Sequence, residues 1–244
     1  MMRPIYALGN AFFQRCYPLY RPLYISYKIL VDRQERRQVR NVVHSGMTVV
    51  DVGAGIGAYT QLLSGLVGRE GRVYAFEPSP VNFQRLERSV AGQDNVTAVQ
   101  AAVGERTGAT SLFLSDELNV DHRTYDTGEG RSRIGIPAFR LDDYFPPGTR
   151  IDFMKIDVQG YELSVLMGAE RIVRENSEIK LLVEFWPHGL AQAGVKPAAL
   201  LGYLRSRGLS FGVVGNTSKE CFESEQLDAV DKNQYWNLMV ARAN

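Results

Sequence analysis

The sequence predicts a doubly wound α/β fold built on a mostly parallel sheet. Three observations carry that expectation. From residue 48 onward, short runs of β-branched and aromatic residues alternate with stretches of helical period. The first run ends as Val50-Asp51-Val52-Gly53-Ala54-Gly55-Ile56-Gly57, which reads as a buried parallel strand turning sharply into a helix. The last two strands, 209–214 and 235–240, are joined without a helical pattern, so one of them is expected to run antiparallel. With 244 residues there is room for one such domain, with an appendage and a sizeable core.

Residues 1–30 fall outside the alternating pattern. Seven aromatics (Tyr6, Phe12, Phe13, Tyr17, Tyr20, Tyr24 and Tyr27) are interleaved with Arg3, Arg15, Arg21 and Lys28. Pro4, Pro18 and Pro22 are expected to interrupt any long helix. Such a mixture suits a membrane interface or a lipid-linked substrate. The plainer reading is an arm that packs over the domain or against a second copy in a homodimer. Residues 31–44 read as a helix with Arg33, Arg36, Arg37 and Arg40 on a solvated face, ended by Gly46. The chain therefore divides into an aromatic and basic arm with its helix, 1–44, and a domain over 45–244.

Within the domain, the strand at 48–53 leads to a helix over 58–67, closed by Gly68 and Gly71. A second strand, 72–77, ends at Glu77, and Pro78 and Ser79 open a helix that runs to about residue 90. A third strand is expected at 96–101 and a further one at 109–114, the latter in a hairpin with what precedes it. Residues 115–136, with Asp116, Asp121, His122, Arg123 and Tyr125, are the least regular stretch. A loop of that length in a compact domain reads as a lid, with His122 a candidate substrate contact. A short helix at 140–145 stops at Pro146 and Pro147. Strand four covers 151–157 and precedes a helix over 162–174. Strand five covers 178–185 and runs into Trp186-Pro187-His188-Gly189. A helix at 196–207, a strand at 209–214, a polar loop at 215–233 and the strand at 235–240 complete the pattern.

Composition narrows the function classes. The hydrophobic and charged fractions, 45% and 23%, are those of an ordinary globular protein. A net charge of +1 gives no overall pull toward nucleic acid. The charge is uneven: residues 1–44 hold eight Lys/Arg and two Asp/Glu, whereas the rest holds 20 and 25. Cys16 and Cys221 build neither a disulfide framework nor a metal-type spacing. No stretch approaches the roughly 18 apolar residues that would span a membrane. Residues 5–13 are interrupted by Asn10 and lack a cleavage region, so the expectation is a cytoplasmic protein without a signal peptide.

The glycine turn is the strongest local signal. Its glycines let the backbone approach a ligand, and the helix behind it presents unpaired N–H groups there, a nucleotide-type cofactor site. Gly53, Gly55 and Ala58 also satisfy the dinucleotide pattern G-x-G-x-x-G/A. Asp51 at the strand tip would repel a pyrophosphate, whereas it would attract the sulfonium and ammonium of S-adenosylmethionine. Glu77 lies twenty residues past Gly57, where an acid accepts hydrogen bonds from adenosine ribose hydroxyls. An NAD-dependent oxidoreductase is the competing enzyme reading, and a catalytically inactive cofactor-binding interaction protein is a third.

Four segments resemble the FkbM family of S-adenosylmethionine-dependent methyltransferases, from about residue 30 onward. They are residues 51–60 (DVGAGIGAYT), residues 74–83 (YAFEPSPVNF), Ala102-Val103-Gly104, and Leu141-Asp142-Asp143-Tyr144 followed by residues 154–162 (MKIDVQGYE) with Glu184-Phe185 behind it. The resemblance implies a seven-stranded class I methyltransferase sheet with the last strand antiparallel. It also implies O-methylation of a hydroxyl on a sugar, glycolipid, or glycosylated or polyketide product. It places Asp51, Gly53, Ala54, Gly55, Gly57, Tyr59 and Thr60 in the cofactor site, with Glu77, Pro78, Ala101, Ala102 and Asp157. Gly55 departs from many relatives, which carry Asn or His there.

Methyl transfer to an alcohol needs positioning and, usually, a base. Asp157 ends strand four at the ligand-binding sheet edge and is the first candidate. Glu184 ends the neighbouring strand, and His188 follows four residues later. The three are expected to converge as a base with its orienting partners or as an oxygen-rich Mg2+ site. Lys155 in the same strand requires a partner, Asp157 or Glu162, because an unpaired buried ammonium is costly. A ribose hydroxyl of RNA is a rival acceptor, disfavoured by the acidic body of the chain.

Overall fold

The computed structural model describes residues 13, 16–115, 121–128, 130–215 and 231–243. In chain order it begins with helices α1 (Tyr17–Val31) and α2 (Arg33–Val42), then β1 (Thr48–Val52), α3 (Ala58–Val67), β2 (Arg72–Phe76) and α4 (Pro80–Ser89). Strands β3 (Val96–Val99), β4 (Ala102–Val103), β5 (Gly108–Phe113) and β6 (Arg133–Phe139) follow, then α5 (Leu141–Tyr144) and β7 (Phe153–Ile156). The remainder is α6 (Glu162–Gly168), α7 (Glu170–Glu175), β8 (Lys180–Phe185), α8 (Pro187–Gln192), α9 (Pro197–Ser206), β9 (Leu209–Val213) and β10 (Trp236–Arg242).

Seven strands form one sheet in the order β3-β2-β1-β7-β8-β10-β9. All pair in parallel except β10, which is antiparallel to both β8 and β9. The chain winds outward from β1 to β3, returns, and winds the other way through β7 and β8. The reversal leaves a crevice between the carboxyl ends of β1 and β7. Side-chain alternation along β1 sends Val49 to one face and Val50 to the other. Val49 packs with Val39 of α2 and Leu63 of α3, and Val50 with Met154, Leu166 and Phe185. Both faces of the sheet are therefore covered, as a parallel sheet requires.

Four expectations are corrected. Strand three ends at Val99, and Ala102–Val103 leaves to join a second sheet of order β4-β6-β5. The strand near residue 109 pairs with β6, not with what precedes it. Residues 133–139 thus form a strand at the end of the expected lid, and part of that lid, 116–120 and 129, lies outside the described residues, Asp116 included. The helix expected over 162–174 divides at Ala169 into α6 and α7.

The fourth correction is the arm. Pro18 and Pro22 do not prevent a 15-residue helix. Pro18 sits in the first turn, where its missing N–H bonds nothing. Pro22 removes one hydrogen bond, and packing of the inner face holds the rest. Phe13 is buried beneath Arg85, whose guanidinium lies 3.4 Å from the ring centroid and donates to the Phe13 carbonyl. Tyr20 stacks on Tyr24. Residues 215–233, expected as a loop, lie mostly outside the described residues.

Candidate active site

The carboxyl ends of β1, β2, β7 and β8 open into a cavity of about 540 Å3. Gly53, Ala54 and Gly55 line it, with Tyr59 from α3, Glu77 and Pro78 after β2, and Ala101 and Ala102 after β3. Gly53 has φ +80°, and a Cβ there would overlap the carbonyl oxygen of Asp157. The turn is thus pressed against the end of β7, and only glycine fits. Gly53→Ala is expected to destabilise the fold by more than about 2 kcal/mol, read as a lower urea midpoint. An unchanged midpoint would mean that the two strand ends are free to separate.

Asp51, Gly57 and Thr60 do not line the cavity. The Asp51 side chain points from β1 toward α3, where it is fully buried, and its Oδ2 accepts from Thr60 Oγ1 at 2.7 Å. Its Oδ1 lies 4.0 Å from Lys155 Nζ. Burial pushes the Asp51 carboxyl above the usual range, against the pull of Lys155 and Thr60. The expectation that its charge meets a ligand directly is therefore corrected. Asp51 lies beneath the cavity, bonded to Thr60 and near Lys155, which does line it.

Glu77 lies at the cavity wall but is itself buried. Its Oε2 accepts from the Gly55 amide at 2.8 Å and its Oε1 from the Ser79 amide at 2.9 Å. Burial raises its pKa to about 7, opposed by the hydrogen bonds of Ser79, Gly55 and Asn82. Three donors already serve its two oxygens, which leaves capacity for one ligand hydroxyl.

At the other end of the cavity, Asp157 and Glu184 stand side by side because β7 and β8 are neighbours with Ile156 opposite Val183. Lys155 Nζ donates to Asp157 Oδ2 at 2.9 Å and lies 5.0 Å from the Tyr59 ring centroid. Of the two partners expected for Lys155, the structure gives Asp157. Gln159 bridges the carboxylates: its Nε2 donates to Asp157 Oδ1 and to Glu184 Oε2, both at 3.1 Å. Gln159 holds φ +57°, a conformation that side chains rarely adopt. It is held there by Tyr125, whose hydroxyl lies 2.7 Å from the Gln159 carbonyl. Glu162 stiffens the same turn, accepting from the amides of Val158 and Gly160.

The shared bridge separates the two acids electrostatically. Burial works to raise Asp157, but Lys155 and Lys28, with hydrogen bonds from Lys155 and Gln159, outweigh it and hold the carboxyl below the usual range. Lys155 and Lys28 also pull Glu184 down, but they are outweighed there. Burial, then the charges of Asp157 and Glu162, push it well above the usual range. Two neighbouring carboxyls whose environments drive their pKa values apart can divide the roles of fixed charge and proton acceptor.

His188 does not join them. Pro187 starts α8 directly after Trp186, and the helix turns His188 against the Trp186 ring, 5.7 Å between centroids, off the cavity wall. Among the described residues no group of three or more His, Cys, Asp or Glu is arranged to hold a metal ion. His122 lines the cavity, and its Nδ1 accepts from the Ser115 amide at 3.0 Å. Arg123 beside it is buried, paired with Asp121 at 2.8 Å and lying over the Trp186 ring.

Residues that the sequence reading passed over also line the cavity: Tyr24 and Lys28 from α1, Gln159, Trp186 and Tyr235. Lys28 is anchored by Asp32 at 2.7 Å. The signal was available in part, because Tyr24, Lys28 and Asp32 recur at four-residue spacing, one face of a helix.

Residues 51–211 match the Methyltransferase FkbM domain. The chain belongs to this family. "Methyltransferase sdnD" of Sordaria araneosa is 29% identical over 179 residues, 58% of this chain and 68% of that protein. "Methyltransferase 1" of Beauveria bassiana is 27% identical over 146 residues, 50% of this chain and 58% of that protein. Among solved structures, an rRNA methylase from Streptococcus thermophilus superimposes with a TM-score of 0.50 at 14% identity, covering 86% of this chain and 95% of its own. That likeness extends to the fold alone, the Rossmann-like fold of S-adenosylmethionine-dependent methyltransferases. The matched range takes in the glycine turn, Glu77, Asp157, Gln159 and Glu184.

Proposed function

We propose that this FkbM methyltransferase uses S-adenosylmethionine to methylate a hydroxyl of a sugar, glycolipid, or glycosylated or polyketide product, with Glu184 as the proton acceptor. The observation that carries the reading is the Asp157–Gln159–Glu184 bridge at the cavity wall opposite Glu77. Gly53, Ala54 and Gly55 fit the cofactor's amino-acid end, since their backbone leaves the cavity open there. Glu77 fits its ribose, and Pro78, Ala101 and Ala102 its base.

When bound, the cofactor supplies a methyl group on a sulfonium, a leaving group that needs no acid. The protein's part is to align the acceptor hydroxyl and take its proton. Glu184, raised toward the working pH, is better matched to that step than Asp157, which stays ionised. Asp157 and Lys155 fix Gln159, and Gln159 fixes one oxygen of Glu184. Trp186 and Tyr235 offer aromatic faces to the acceptor.

Thermal unfolding with S-adenosylhomocysteine or NAD tests the cofactor. An adenosyl ligand at a hundred times its dissociation constant stabilises by about 2.7 kcal/mol, a shift of roughly 5–10 °C at this length. A shift with NAD alone would overturn the reading. Transfer of a labelled methyl group to a panel of methyl glycosides, polyketide alcohols and RNA then tests the acceptor. Label on RNA only would replace the hydroxyl class proposed here by ribose.

A further inference from the structure

Helix α1 has an outer face that methyl transfer leaves unused. Nine large apolar side chains are exposed among the described residues, and six of them lie on this helix: Leu19, Leu23, Tyr27, Ile29, Leu30 and Val31. Leu30 is 75% exposed, and Leu19 and Leu23 are 63% exposed. At 100° per residue, Leu19, Leu23, Tyr27 and Leu30 share a sector of about 80°. Tyr24 and Lys28, turned about 100° and 140° from the centre of that sector, line the cavity. The helix contains no Asp or Glu, and exposed Arg33, Arg37 and Arg40 follow it.

We propose that α1 docks the protein on an anionic lipid surface, lying in the interface with its leucines inserted and the arginines among the headgroups. Fifteen residues make a helix of about 22 Å, short of the roughly 30 Å of a hydrocarbon core, so it lies on the bilayer and does not cross it. Charge favours lipid over a second copy. Self-association through this face would bring together two segments of eight basic and two acidic residues each, whereas an anionic surface attracts them. Docking stands on the outer face alone. Its consequence for catalysis rests on the methyltransferase reading: the same helix walls the cavity, so an acceptor carrying a lipid tail enters past Tyr24 and Lys28 without leaving the interface.

Flotation of the full chain with vesicles of phosphatidylcholine, or of phosphatidylcholine with phosphatidylglycerol, tests the proposal. The protein is expected to float with the anionic vesicles about tenfold more than with the neutral ones, and to be released by high salt. Leu23→Ser with Leu30→Ser should stay at the bottom of the gradient while keeping the wild-type thermal midpoint. Arg33→Gln with Arg37→Gln and Arg40→Gln should lose the preference for anionic lipid. A wild-type chain that stays at the bottom with both vesicles overturns the proposal, as does a dimer that the double leucine variant converts to monomer. The S-adenosylhomocysteine shift is read on the same samples, so a failed cofactor reading and a failed docking are separate results.

Discussion

Glu184→Gln is expected to lower kcat by roughly 10²–10⁴-fold, the usual contribution of a positioned base, with S-adenosylhomocysteine affinity held within about twofold. Gln keeps the shape and can still accept from Gln159 through its oxygen, but it takes no proton. The pH profile supplies a second readout. Glu184 must be ionised to act, and burial with the charges of Asp157 and Glu162 raises its pKa. The wild-type rate should therefore climb about tenfold per pH unit below that raised pKa and level off above it. The limb should lie above the ordinary carboxylate range and vanish in the variant. Asp157→Asn removes one of the charges that add to burial in raising Glu184, so in that variant the limb should move to lower pH. An E184Q enzyme with the wild-type rate and limb would remove Glu184 from the role.

Cofactor affinity should follow the ionisation of Glu77. In the proposed site a ribose hydroxyl donates to the charged carboxylate, whose pKa burial raises to about 7. Below that pH only the ionised fraction is competent, so the apparent dissociation constant rises as protons bind. S-adenosylhomocysteine should bind about tenfold more weakly at pH 6 than at pH 8, and about a hundredfold more weakly at pH 5. Glu77→Gln should bind weakly at every pH with the slope removed. Titration calorimetry across that range measures both. A flat wild-type profile would place the carboxylate away from the ribose.

The parts of the fold that follow from one-dimensional periodicity were legible in the sequence. Helix 58–67 and the adjacency of the Asp157 and Glu184 strand ends could be read because glycine turns and apolar runs mark them directly. Three features were hidden, each for a physical reason. Pairing of β5 with β6 depends on a partner some twenty residues ahead, across a polar stretch too long for a hairpin turn to set the register. The inward direction of Asp51 depends on where Thr60 lies once α3 has packed. Gln159 reads as an ordinary polar residue, and its role comes from a left-handed backbone that Tyr125 and Glu162 impose from elsewhere in the chain. Likewise His188 looked convergent by spacing alone, until Pro187 turned the backbone into a helix beside it.

The placement of β10 sets an order of events during synthesis. Residues 209–213 leave the ribosome before 236–242, yet β9 touches the sheet only through β10. Until β10 arrives, β8 presents an open edge of apolar backbone, and β9 has no strand to pair with. Without β10, the strand order leaves a five-stranded sheet with a strand-shaped gap beside Glu184. Such an edge invites pairing with the wrong chain. Glu184 is therefore enclosed late, when Asn237 comes to lie opposite it.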